Sequence, residues 1–194
     1  LMVAHLLGAA EGNASQRESL KQLIRGRRWA KQHGRPEIDG INAVQVADRQ
    51  HLSPRELVDA LRAVAPAAIK GRQKLPGLMR RMKVDDPMGG TMTLGHLVDR
   101  VYTRDQWLHR VDISLAIGRD IELTADHDGR IIEDVVVEWV GRQGEPVTLD
   151  LTGPAGGLFA PAEGGRLVSL DAVEFALITS GRTPSDLDLA LVVY

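Results

Sequence analysis

Asp105, His109 and Asp112 fall within "RDQWLHRVD", residues 104 to 112, at spacings of four and three. On a helix these three polar side chains share one stripe. Such a stripe is either a solvated face, whose i,i+4 pair is worth roughly 0.2–0.5 kcal/mol, or half of a metal site. The second residue of interest is His5, in the apolar "VAHLLG". A lone histidine there is ordinarily a satisfied core or boundary residue, and an isolated Asp-x-x-x-His pair is ordinarily a surface contact. The combination changes the balance. Three ligands from two facing helices can hold a divalent ion and leave positions open for water or substrate. Imidazole with a carboxylate beside it suits zinc and requires no cysteine. Asp112 would then orient a ligand or bind a basic residue, while Trp107, on another side of the helix, belongs to the core.

The remaining histidines serve this purpose less well. His96 is about 140° from His109 around an ideal helix, and His33, His51 and His127 lie at helix ends or in loops. "GPAGG" at 153–157 lacks the Lys-Ser/Thr of a phosphate loop and reads as a turn between strands. "IRGRRW" at 24–29 reads as a solvated helix end.

The chain contains no cysteine. Disulfides, thiolate ligands and a protein-borne thiol nucleophile are thereby excluded, and any thiol chemistry needs a thiol from a cofactor. This usage fits a cytoplasmic protein. A length of 194 residues allows one large domain or two small ones, and 43% hydrophobic with 26% charged residues is ordinary for a globular chain. A net charge of −2 and 4% aromatics provide neither a basic nor a base-stacking surface for nucleic acid, and no attraction to anionic membrane. No apolar run approaches the roughly 18 residues that span a bilayer, and no signal peptide opens the chain. Because "LMVAHLLGAA" begins in the middle of a helical pattern, residues are expected to precede Leu1 in the natural protein.

The elements that must position these residues follow from period and punctuation. Residues 1 to about 32 read as one helix, closed by Gly34 and Pro36 and locally weakened by Gly8 and Gly12. "INAVQVADRQ" predicts a shorter helix. "SPRE" predicts an N-terminus with Ser53 as cap, Pro54 at the first position and Glu56 completing a capping box, with Pro66 kinking the helix that follows. "LPGLMRRMKVDDPMGG" reads as a loop with a short helical piece. A long helix then runs from Thr93 as cap to Gly118 as stop, packing through Leu94, Leu97, Val101, Leu108, Val111 and Leu115. Beyond a polar stretch, "EDVVVEWVGRQ" predicts a helix and "PVTLDL", "GGLFA" and "GRLVSL" predict short strands. "LDAVEFALITSGR" predicts a helix closed by Gly181, and "LDLALVV" an edge strand or extended tail. The pattern divides into an α-bundle, residues 1–118, and a small α/β domain, residues 119–194.

"MVAHLLG", "GINAVQVADRQHLSPRELVDAL", "RDQWLHRVDISLAIG" and the late "ALITSGR" together resemble the mycothiol-dependent maleylpyruvate isomerase family. The resemblance covers almost the whole chain. It implies a DinB-like four-helix bundle, its first helix missing or truncated here, followed by a small α+β domain. It further implies a divalent metal, usually zinc, held at the positions of His5, Asp105 and His109. The isomerase carries glutamate where this chain has Asp105. The resemblance also implies arginines for an anionic substrate or cofactor, at Arg182 and, by looser alignment, Arg35; Arg182 could otherwise cap its helix.

The expected activity is that of a zinc-dependent isomerase or thiol S-transferase using mycothiol. The expected partners are a small-molecule thiol and an anionic or electrophilic substrate, in a monomer or homodimer. Two alternatives stand beside it: a non-catalytic metal- or ligand-binding module of the same fold, and a thiol-independent metal hydrolase.

Overall fold

Ser15 is where the chain first departs from the periodic pattern. In the computed structural model, which describes residues 1–86, 88–159, 165–187, 189–192 and 194, the single helix expected to residue 32 is two. These are α1, Met2–Ala14, and α2, Gln16–His33. Ser15 is extended (φ −139°, ψ 116°) and its hydroxyl accepts from the Glu18 N–H. "SQRE" is therefore a helix start inside an apolar period that continues across it.

α3 spans Glu37–Ala47 and α4 spans Pro54–Gln73. The capping box of α4 forms in both directions: the Glu56 N–H donates to Ser53 Oγ and the Ser53 N–H to the Glu56 carboxylate. Pro66 sits within α4, which continues to Gln73. α1 lies along α4, and α2 along α3. Ala4, Leu7 and Leu57 are the buried centre of the first pair, joined by Val3, Leu61 and Val64.

The chain forms two compact units, Leu1–Gly77 and Leu78–Tyr194. The change of character expected at 118/119 lies within the second, at the stop of a long helix. That unit opens in the short α5, Gly77–Arg80, and continues into an antiparallel hairpin. Its strands are β1, Lys83–Asp85, and β2, Thr91–Thr93, with Val84 opposite Met92. The stretch predicted as a loop with a short helical piece contains that piece, α5, and the first strand of a hairpin whose second strand follows it. Three-residue strands are too short for alternation to declare itself; what holds them is Val84 and Leu97 packing on buried Met92 and Val101.

The long helix appears as expected, from Thr93, whose hydroxyl accepts from the His96 N–H, to Gly118 at φ 62°. It comprises α6, Leu94–His96, one wide π-helical turn, Leu97–Val101, and α7, Tyr102–Ile117. Val101, Leu108 and Val111 are buried as expected, whereas Leu115 is 64% exposed.

A second π-helical turn, Ala125–Gly129, leads into α8, Arg130–Arg142. β3, Val147–Thr152, is the central strand of a sheet ordered β4-β3-β5. It pairs antiparallel with β4, Gly157–Phe159, and parallel with β5, Arg166–Asp171. The "GPAGG" turn joins β3 to β4; a Cβ on Gly156 would stand 2.0 Å from the Leu151 carbonyl oxygen, so only glycine fits. α9, Ala172–Thr179, is N-capped by the Asp171 carboxylate. The described residues of "LDLALVV" form no strand. They make a tail in which Leu189 and Val192 are buried and the Val192 N–H donates to the Thr179 carbonyl.

The core of this unit joins Trp107, Leu108 and Val111 of α7 to Ile132, Val135 and Trp139 of α8, with Leu149 of β3 and Phe175 of α9. Among the described residues no helix is long and apolar enough to cross a membrane. The molecule is mostly helical with two small sheets.

Candidate metal centre

α7 buries Arg104, Leu108 and Val111 along one side, continuing from Val101 at the end of the π-helical turn, which turns Asp105, His109 and Asp112 along a neighbouring stripe. His109 Nδ1 lies 3.0 Å from Asp112 Oδ2, and His109 Nε2 lies 3.3 Å from Asp105 Oδ1. The imidazole side chain is only 14% exposed. Arg182 completes the cluster. Gly181, at φ 73°, ends α9 and the Arg182 N–H returns to the Leu177 carbonyl. The Arg182 Nε then donates to both Asp112 oxygens, at 3.2 and 3.3 Å.

This geometry admits two chemical states. An imidazolium could bridge the two carboxylates. Otherwise Nδ1 donates its proton to Asp112, and the Nε2 lone pair faces a carboxylate oxygen, an arrangement a cation between them would satisfy. His109 Nε2 and the Asp105 carboxylate are donors of the kind that would hold a divalent ion, which would act there as a Lewis acid. Asp112 lies on the opposite side of the His109 ring from Asp105, where a carboxylate would fix the ring if Nε2 held an ion.

His5, on α1, belongs to the first unit. It is half-buried, and its Nδ1 lies 2.7 Å from Gln45 Oε1. An amide oxygen only accepts, so with this amide orientation Nδ1 is the donating nitrogen of the ring. Arg35, also in the first unit, is exposed between α2 and α3, where it pairs with Asp39 at 2.8–2.9 Å. Asp105, His109, Asp112 and Arg182 are thus assembled within one unit, and His5 and Arg35 are placed in the other.

Sequence reasoning missed the residues that hold α7 in place. Arg104, 1% exposed, donates to Asp134 Oδ2 at 2.8 Å and to Glu138 Oε2 at 2.6 Å on α8. The signal was present: 101, 104, 108 and 111 share a face, so Arg104 had to enter the core, and "EDVVVE" offers carboxylates four apart. Burial alone would raise the Glu138 carboxyl, but Arg104, Arg142 and His96 outweigh it and hold the group below its ordinary value. On the other side of α7, the Trp107 indole donates to buried Asp128 at 2.8 Å. Desolvation would raise Asp128 as well. The Thr124 N–H, Trp107, His127 and Arg110 instead bring it down to about 2.

No protein-family model matches this chain, and no curated protein matches it. Solved structures that do match include the mycothiol-dependent maleylpyruvate isomerase, 18% identical with a TM-score of 0.44. That match covers 93% of this chain and 74% of the isomerase. A histidine-to-alanine mutant of the isomerase is 17% identical, with the same coverage and TM-score. The likeness is distant.

Proposed function

We propose that this chain is a zinc-dependent enzyme that uses a low-molecular-weight thiol, mycothiol, as a maleylpyruvate isomerase-like catalyst or a thiol S-transferase. The observation that carries the metal is the His109 imidazole held between Asp112 and Asp105 at hydrogen-bonding distance. The thiol and the substrate class rest on the motif resemblance and on the absence of any protein cysteine. On this reading His5, Asp105 and His109 hold the ion. Residues 1–118 form the DinB-like bundle, and residues 119–194 contribute Arg182.

The ion would supply a Lewis acid that keeps a bound thiol deprotonated near neutral pH. The chain's own residues do the rest. Asp112 holds the His109 ring and keeps its proton on Nδ1. Arg182 neutralises Asp112 and places a planar cation beside the centre, where a guanidinium orients a carboxylate of substrate or cofactor. Arg35 is a second anion-binding candidate, from the first unit.

Elemental analysis after zinc reconstitution tests the metal, and turnover of maleylpyruvate with and without mycothiol tests the chemistry. Zinc in the wild type, lost from His109→Ala, with thiol-dependent turnover, is the expected result. No divalent metal even after reconstitution would defeat the proposal. Turnover without thiol would instead favour hydrolysis by a metal-bound water, and metal without turnover would favour a binding module.

A further inference from the structure

Two glutamines are buried in the first unit, Gln22 at 3% exposure and Gln45 at 5%. They form a chain of hydrogen bonds that begins at a backbone carbonyl and ends on His5. Gln22 Nε2 donates to the Gly8 carbonyl at 2.9 Å. Gln45 Nε2 donates to Gln22 Oε1 at 2.8 Å, and Gln45 Oε1 meets His5 Nδ1 at 2.7 Å.

The order is forced from its start. A carbonyl can only accept, so Gln22 must turn its NH₂ toward Gly8 and its oxygen toward Gln45. Gln45 must then turn its NH₂ back and its oxygen toward His5. Glu18 reinforces this, its carboxylate accepting from the same Gln22 nitrogen at 3.1 Å. Arg49 holds the main chain at the relay, donating to the Gln45 carbonyl at 2.8 Å while pairing with Glu11. Gly8 makes the approach possible: a Cβ there would stand 2.6 Å from Gln45 Cβ.

We propose that Gln45, with Gln22 behind it, is the positioning residue that fixes the His5 ring and tautomer, so that Nε2 is the nitrogen offered to the metal. The inference rests on His5 being a ligand, as proposed above. It gives the two histidines matching supports of different chemistry, a carboxylate for His109 and a neutral amide relay for His5. The hydrogen bond a ring makes through one nitrogen decides what the other can do, and losing such a partner typically weakens metal binding about 10–100-fold.

The test is nitrogen-15 NMR of the histidine rings in metal-free protein, well above the ordinary histidine pKa of ~6.5, together with zinc affinity by chelator competition. Wild-type His5 should carry its proton on Nδ1, against the preference of free neutral imidazole. In Gln45→Met the proton should move to Nε2 and zinc affinity should fall about 10–100-fold. Gln45→Glu, which restores an acceptor, should keep the Nδ1–H form and at least wild-type affinity. Gln22→Met leaves Gln45 in place but free to turn, and should give a mixture of tautomers even if the Gln45 variants fold poorly. A wild-type His5 protonated on Nε2, or a Gln45→Met ring that stays on Nδ1–H with unchanged affinity, would overturn the relay alone. Failure of the wild type to bind zinc would bring down the metal reading and this assignment with it.

Discussion

Asp112 meets a proton donor on each side, the His109 ring and the Arg182 guanidinium. Asp112→Asn keeps an oxygen for the ring but removes the charge that holds Arg182. Zinc affinity should then fall about tenfold or more in chelator competition, with helical content unchanged by circular dichroism. Arg182 separates two roles. If it also binds a carboxylate, Arg182→Ala should reduce thiol-dependent turnover with zinc content and melting temperature nearly intact, and Arg182→Lys should restore only part, since a point charge lacks the planar fork. A lowered melting temperature with unchanged turnover would leave it a structural partner of Asp112. The Asp105–His109–Asp112 stripe was legible in the sequence because helical spacing alone creates it. The Asp112–Arg182 bond was not, because the approach of two residues seventy apart is set by how α9 packs.

Ser15 and Ser53 show how local chemistry sets the elements. Both precede an acidic residue by three, and both start helices, yet only "SPRE" stood out from its surroundings. "SQRE" lies between Leu7 and Leu20 in an apolar period that a continuous helix would also satisfy. Ser53→Ala should cost about 1 kcal/mol, read as a shift in denaturant midpoint, since it takes the acceptor from the Glu56 N–H while the backbone half of the capping box stays. The glycines of α1 were legible as weak points of a helix and illegible as clearances for Gln45 and Gln22, because their use depends on α2 and α3. Gly8→Ala should therefore destabilise by roughly 1–3 kcal/mol, although alanine is intrinsically the better helix former. An increase in stability would show that Gln45 does not approach α1 this closely.

At the scale of the molecule, composition and compactness divide the chain by different criteria. Polarity changes near 119, where α7 stops; contacts divide at 77/78, in the short α5 just before a hairpin whose three-residue strands left no periodic trace. Acid sensitivity follows from buried carboxylates. The Asp128 carboxyl titrates at about 2 when folded, against an ordinary 3.8. A depressed folded value stabilises the native state above the unfolded pKa, and that contribution disappears as pH falls through the folded one. About 2 kcal/mol should therefore be lost between about pH 4 and pH 2, with Glu138 adding in the same direction. Denaturant midpoints of metal-free protein should show Asp128→Asn to be less stable at neutral pH and flatter across this window; parallel curves would refute it. The wide turn at Leu97–Val101 has a consequence of its own. His96 and Arg104 both reach Glu138, at 3.2 and 2.6 Å, although residues eight apart on a regular α-helix point roughly 80° away from each other. A π-helical turn accommodates one additional residue, so eight steps of chain cover about the rotation of seven, or nearly two full circles. Like a leap day, the extra residue corrects the phase of everything after it: it lets one carboxylate of α8 collect partners from both sides of the turn. Excising a single residue between 97 and 101 would restore ideal helical winding and break that alignment.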